Sequence, residues 1–158
     1  MAMAEFVESG ERIADIGADH AYLPIYLLRE GVSPFAVLTD IRPGPLEKTR
    51  ESVAKALRGE PSPGFDLRLG DGLEPLGPGE VDTVVIAGMG GETIISILEA
   101  DAEKAASFKK YILQPRTKTG LLEDWLGGLG WKIISKAVAE ERGRLCDIIV
   151  CAPKEGEL

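Results

Sequence analysis

Histidine occurs once and cysteine twice in this chain, at His20, Cys146 and Cys151. With no C-x-x-C pair and no second histidine, the usual structural zinc sites are ruled out and no metal is expected. The two thiols are expected to be buried and reduced in a C-terminal strand. No stretch approaches the roughly 18 apolar residues that a membrane span needs. The opening residues Glu5, Glu8 and Glu11 are acidic where a secretory signal would be basic. The protein is therefore expected in the cytoplasm, with no membrane partner. Positive charge is also in deficit, with 18 Lys and Arg against 26 Asp and Glu and a formal charge of -8. Proteins hold polyanions largely through Lys and Arg displacing counterions, so a nucleic-acid role would require a local basic patch.

What remains is ordinary globular material: 158 residues, 44% hydrophobic and 28% charged, a length suited to one domain. Apolar, β-rich runs recur with helical stretches between them, the pattern of a parallel sheet covered on both faces. Strands are expected at 12–16, 36–40, 66–69, 81–87, 110–114, 131–137 and 145–151, and helices at 23–29, 46–57, 93–98 and 121–126. The segment ending at Ser9 and Gly10 reads as the tail of a further helix. No helix separates the last two strands, which should pair antiparallel. The expected fold is α/β and Rossmann-like: a mostly parallel, seven-stranded sheet, helices on both faces, and an antiparallel last strand.

Ligands of open parallel sheets sit outside the carboxyl ends of the strands, and four unusual sequences fall there. Asp15-Ile16-Gly17-Ala18-Asp19-His20-Ala21 turns on Gly17, which lets backbone approach a ligand closely. A dinucleotide fold would show G-x-G-x-x-G at this place, so no pyrophosphate is implied and a nicotinamide oxidoreductase is disfavoured. Asp40, followed by Ile41, ends the second strand where an acid accepts hydrogen bonds from ribose hydroxyls. Gly70-Asp71-Gly72-Leu73 follows the third, with a carboxylate for an adenine amino group and an apolar side chain for the ring. Ala87-Gly88-Met89-Gly90-Gly91 follows the fourth and leaves room for a substrate beside exposed backbone groups.

Each sequence alone is more often a plain turn or strand cap. Together, in this order, they describe an adenosine pocket. His20 reads equally well as a hydrogen-bonded structural group and as part of that pocket. Trp125, Trp131 and Phe108 read as core rather than as base-stacking platforms. Arg116 and Lys118 are candidates for phosphate contact, although exposed cations usually belong to a solvated loop.

With these residues in hand, the sequence resembles the TrmK family of bacterial tRNA adenine-N1 methyltransferases. The resemblance is carried by the D-H-A-Y-L-P string from Asp19 to Pro24, by Gly70-Asp71-Gly72-Leu73, by A-G-M-G-G from Ala87 to Gly91, and by Leu113-Gln114-Pro115. It implies a class I methyltransferase domain that uses S-adenosylmethionine, releases S-adenosylhomocysteine and acts on tRNA. It also implies a C-terminal helical domain, which is expected to be absent from a chain that stops soon after its final strand. Loop position and resemblance together place Asp15, Gly17, Ala18, Asp19, His20, Asp40, Ile41, Asp71, Gly72, Leu73, Ala87, Gly88 and Met89 around the cofactor. Met89, Gly90, His20 and Tyr22 are the candidates at the reacting end.

Methyl transfer from a sulfonium is an in-line displacement that chiefly demands alignment. Adenine N1 already carries a lone pair, so no strong general base is needed. The A-G-M-G-G loop, in place of an N-P-P-Y loop that grips exocyclic amines, fits a ring-nitrogen acceptor. Two alternatives stay open: a methyltransferase acting on a small molecule or protein, and a catalytically silent cofactor-binding module. No oligomeric state is implied.

Overall fold

A computed structural model describes residues 2–17, 21–59 and 64–154. The strands are β1 (Ile13–Ile16), β2 (Phe35–Asp40), β3 (Gly64–Leu69), β4 (Thr83–Met89), β5 (Lys110–Pro115), β6 (Lys132–Glu141) and β7 (Arg144–Ala152). The helices are α1 (Tyr22–Arg29), α2 (Pro43–Ala56), α3 (Gly91–Glu99), α4 (Ala102–Ala105) and α5 (Thr119–Gly128). One seven-stranded sheet results, in the order β3-β2-β1-β4-β5-β7-β6. β1 to β5 run parallel, and β7 lies antiparallel between β5 and β6. Strand order reverses between β1 and β4, which puts the ligand crevice over their carboxyl ends.

Central strands read as continuous apolar runs because both faces are covered. Ala14, Ile16, Val37, Val84, Ile86 and Leu113 pack with α3, α4 and α5 on one face. Ile13, Ala36, Leu38, Val85 and Ile112 pack with α1 and α2 on the other. Phe108, Tyr111 and Trp131 belong to the first layer, Tyr111 and Trp131 with ring centroids 5.2 Å apart, and Trp125 packs half-buried against it. The reading of these aromatics as core holds.

Several boundaries differ from expectation, each for a local reason. The N-terminal segment is a short 3-10 helix, Ala2–Phe6, not a helix running to Ser9. α2 begins at Pro43 because proline, lacking an N–H, is tolerated in a helix's first turn. α4 was not anticipated: it is a single turn, too short for periodicity, started by the Asp101 carboxylate accepting the Lys104 N–H at 3.0 Å. β4 runs on to Met89 through an irregularity in its pairing with β5 between Ala87 and Met89, where Gly88 adopts φ 75°.

The largest difference is the length of the last hairpin. Pairing continues to Glu141↔Arg144, well past the last β5–β7 pair at Leu113↔Ile149, so the hairpin tip overhangs the carboxyl edge of the sheet. Its two-residue turn, Arg142 and Gly143, has φ 51° and 77°, the positive values that match the twist of a tight hairpin.

Candidate active site

Two cavities open along the carboxyl edge. The first, of about 670 Å³, lies over β1, β2 and β3 and is closed on its far side by α3. Asp40 stands in its wall at the end of β2. The Arg42 N–H donates to Asp40 Oδ1 at 3.0 Å, and the Gly70 N–H donates to the Asp40 carbonyl at 2.9 Å, tying the two loops together. Ile41, 61% exposed, gives the same wall an apolar surface. Asp71, Gly72 and Leu73 form the opposite lip. Gly72 has φ 55°, and a Cβ there would meet Ile97 Cγ2 at 3.1 Å.

The loop behind Asp71 is stapled. Arg68 donates to both Glu80 carboxylate oxygens, at 2.7 and 2.6 Å, and to the Pro75 carbonyl at 3.0 Å. The arginine's hydrogen bonds hold the Glu80 carboxyl down at about 2. Thr39 also lines the first cavity. Its hydroxyl is the one buried side-chain oxygen without a hydrogen-bond partner among the described residues.

The second cavity, of about 440 Å³, lies over the ends of β1, β4 and β5 beneath the hairpin tip. Asp15, Tyr22, Ala87 and Gly88 line it, with Gln114 and the hairpin residues Glu141, Arg142, Arg144 and Cys146. Burial pushes the Asp15 carboxyl up to about 7. Gln114, 7% exposed, donates from Nε2 to Glu141 Oε2 at 3.0 Å. Arg116, Arg142 and Arg144 are exposed around the mouth.

Gly17 and Met89 belong to both cavities. Gly17 has φ 69°, and a Cβ there would lie 2.7 Å from the Met89 methyl carbon. The thioether therefore rests against bare backbone, and this pair forms the wall between the two spaces.

Of the residues read from sequence, Gly17, Asp40, Ile41, Asp71, Gly72, Leu73 and Met89 border the first cavity. Asp15, Ala87, Gly88 and Tyr22 border the second. Gly90 borders neither: its Cβ position faces Thr117 Oγ1 at 3.0 Å, and the adjoining Gly91 N–H donates to the Thr117 carbonyl at 2.8 Å. The last two glycines of A-G-M-G-G thus seat α3 against the 116–118 loop. Ala18, Asp19 and His20 lie outside the described residues. Lys118 adopts φ 58° at the start of α5, away from both cavities. The thiol expectation is corrected in one half: Cys151 is buried, whereas Cys146 is only half-buried because it sits in the overhanging part of β7. Thr39 looks in sequence like any strand threonine, and Gln114 and the hairpin arginines reach the site only through long-range pairing.

The sheet order, the crevice at its reversal point and the pair of cavities define the class: a Rossmann-like methyltransferase domain. Residues 1–149 match the methyltransferase domain family. The chain is 35% identical over 148 residues to the tRNA (adenine(22)-N(1))-methyltransferase of Bacillus subtilis (strain 168), covering 94% of this chain and 61% of that protein. Its structure is similar to that of Streptococcus pneumoniae Sp1610 in complex with S-adenosyl-L-methionine, with a TM-score of 0.88, 33% identity, and coverage of 99% and 72% of the two chains. It is similar too to M. capricolum TrmK in complex with S-adenosyl-homocysteine, with a TM-score of 0.83, 30% identity, and coverage of 96% and 66%. The chain belongs to the TrmK family of tRNA methyltransferases. It spans about three fifths of the length of the curated relatives it matches.

Proposed function

We propose that this chain binds S-adenosylmethionine in the first cavity and transfers its methyl group to N1 of a tRNA adenine held in the second, acting as one catalytic domain in the cytoplasm. The observation that carries the reading is the shared Gly17–Met89 wall: a donor site and an acceptor site that touch at one point.

The first cavity's residues suit the cofactor. Asp40 accepts from ribose hydroxyls, Asp71 accepts from the adenine amino group, and Ile41 and Leu73 cover the ring. The buried Thr39 hydroxyl, otherwise unsatisfied, has a polar ligand to bond. The volume falls within the range of small-molecule sites. When bound, the cofactor supplies a methyl group on a positively charged sulfur.

The chain's own task is alignment. Gly17 lets the backbone approach the reacting centre, and Met89 presents an apolar surface rather than a proton-transfer group. N1 is unprotonated in neutral adenine, so no side chain has to remove a proton before attack. The acceptor base has to leave its stack to enter the second cavity, where Tyr22 and Met89 offer apolar contact. Arg116, Arg142 and Arg144, exposed around that mouth beside Glu141 and Asp147, are the cations placed there to meet phosphates.

Isothermal titration tests the donor half. Asp40→Ala and Asp71→Ala should each weaken S-adenosylmethionine binding by about tenfold or more, the loss of hydrogen bonds to a charged group, while circular dichroism stays unchanged. Unaltered affinity in both variants would remove the assignment.

A further inference from the structure

We infer that Gln114, held by Glu141, is the residue that selects adenine in the acceptor cavity, an inference that rests on the methyl-transfer reading above. Gln114 is the middle residue of the Leu113-Gln114-Pro115 motif, none of which lines the first cavity. It is paired with Ala87 in the β4–β5 register, lines the second cavity and is almost fully buried.

Its amide has two chemically opposite ends. A carboxylate can only accept, so Glu141 Oε2 at 3.0 Å requires the NH2 end to face the hairpin. The carbonyl end is thereby turned away from Glu141 and left as an acceptor. The charge on Glu141 polarises the amide and strengthens that acceptor.

Adenine presents an amino group beside N1, and an acceptor there grips the base with N1 unobstructed. Guanine and hypoxanthine place a carbonyl at the same position and a hydrogen on N1. They would set oxygen against oxygen and offer no lone pair. A site built to bond a polar group rejects analogues that lack it far better than an apolar pocket does. In the reaction, a bond forms between the methyl carbon and N1 while the carbon–sulfur bond breaks and its electron pair stays on sulfur. The positive charge passes from sulfur to the adenine ring, which makes its amino hydrogens better donors to Gln114. Glu141 acts on the base only through Gln114 and is a positioning residue.

The test uses the whole chain and two substrates: tRNA, and the same tRNA carrying purine riboside, which lacks the amino group, in place of the methylated adenosine. The wild type should prefer adenosine by tens-fold in kcat/KM. Gln114→Ala should lose about 10- to 100-fold on adenosine and stay within about threefold on purine riboside. Its affinity for S-adenosylmethionine should remain within about twofold of wild type. Glu141→Gln alters only an exposed residue and frees the amide to flip, so it should lower the preference for adenosine by a few fold with the same cofactor affinity. Equal losses on both substrates, or an unchanged preference in Gln114→Ala, would overturn the inference. If wild type binds cofactor but forms no N1-methylated base on either tRNA, the acceptor reading and this inference fall together. Loss of cofactor binding in the wild type would instead sink the donor assignment beneath both.

Discussion

At the scale of single residues, Gly17 bears the tightest constraint. An alanine there would hold φ 69°, which costs an L-residue about 1–2 kcal/mol, and would press on the Met89 methyl carbon at 2.7 Å. Gly17→Ala should weaken S-adenosylmethionine binding, and adding Met89→Ala should restore part of it by removing the clash but not the strain. A titration in which the double variant is as weak as the single one would show that Met89 is not the obstacle. Asp15 makes the second prediction. Its carboxyl is pushed by burial from 3.8 to about 7, so the folded state favours the protonated form. A raised carboxyl pKa means that stability is full below the unfolded value and declines as pH rises through the folded one. Asp15→Asn should match wild type near pH 4 and be the more stable of the two at pH 8, as read from urea midpoints. Parallel curves would contradict the shift. Neither constraint was fully legible beforehand: Gly17 stood out as a glycine after a strand, but the partner that requires it lies on β4.

Elements carry the next layer. The loop from Gly70 to Glu80 holds Asp71 and Leu73 in place because the Arg68–Glu80 pair closes it at its base. Both side chains are about one quarter exposed. Glu80→Ala, which leaves the part-buried guanidinium only Asp66 and the Pro75 carbonyl and takes the acceptor from the Gly77 N–H, should therefore destabilise the fold by about 1–3 kcal/mol at neutral pH. The Glu80 carboxyl is held at about 2, below its ordinary 4.5, so the contribution is present above the ordinary value and lost as pH falls through the folded one. The deficit of the variant should shrink as pH drops from about 5 towards 2, and a constant deficit in denaturant titrations would speak against the ion pair. The strands and the loops at their carboxyl ends could be read from sequence because buried parallel strands are uninterrupted apolar runs closed by Gly and Asp. The hairpin could not. Glu140, Glu141, Arg142 and Arg144 look like a charged loop, and only their register against one another extends the ladder over the site. The contact between Gln114 and Glu141 spans 27 residues of sequence and has no local signature.

For the molecule as a whole, the sheet reversal between β1 and β4 sets the crevice, and the overhanging hairpin lines its second cavity. Arg116, Arg142 and Arg144 stand at the mouth of the second cavity, interleaved with Glu141 and Asp147. No helix among the described residues is long and apolar enough to cross a membrane. In the proposed reaction, methyl donor and adenine N1 meet at the Gly17–Met89 wall. The most direct test is to incubate unmodified bacterial tRNA with this chain and methyl-labelled S-adenosylmethionine, then analyse the nucleosides by mass spectrometry. Label in 1-methyladenosine is the predicted result. Label in any other nucleoside, or none while the cofactor is demonstrably bound, would contradict the account.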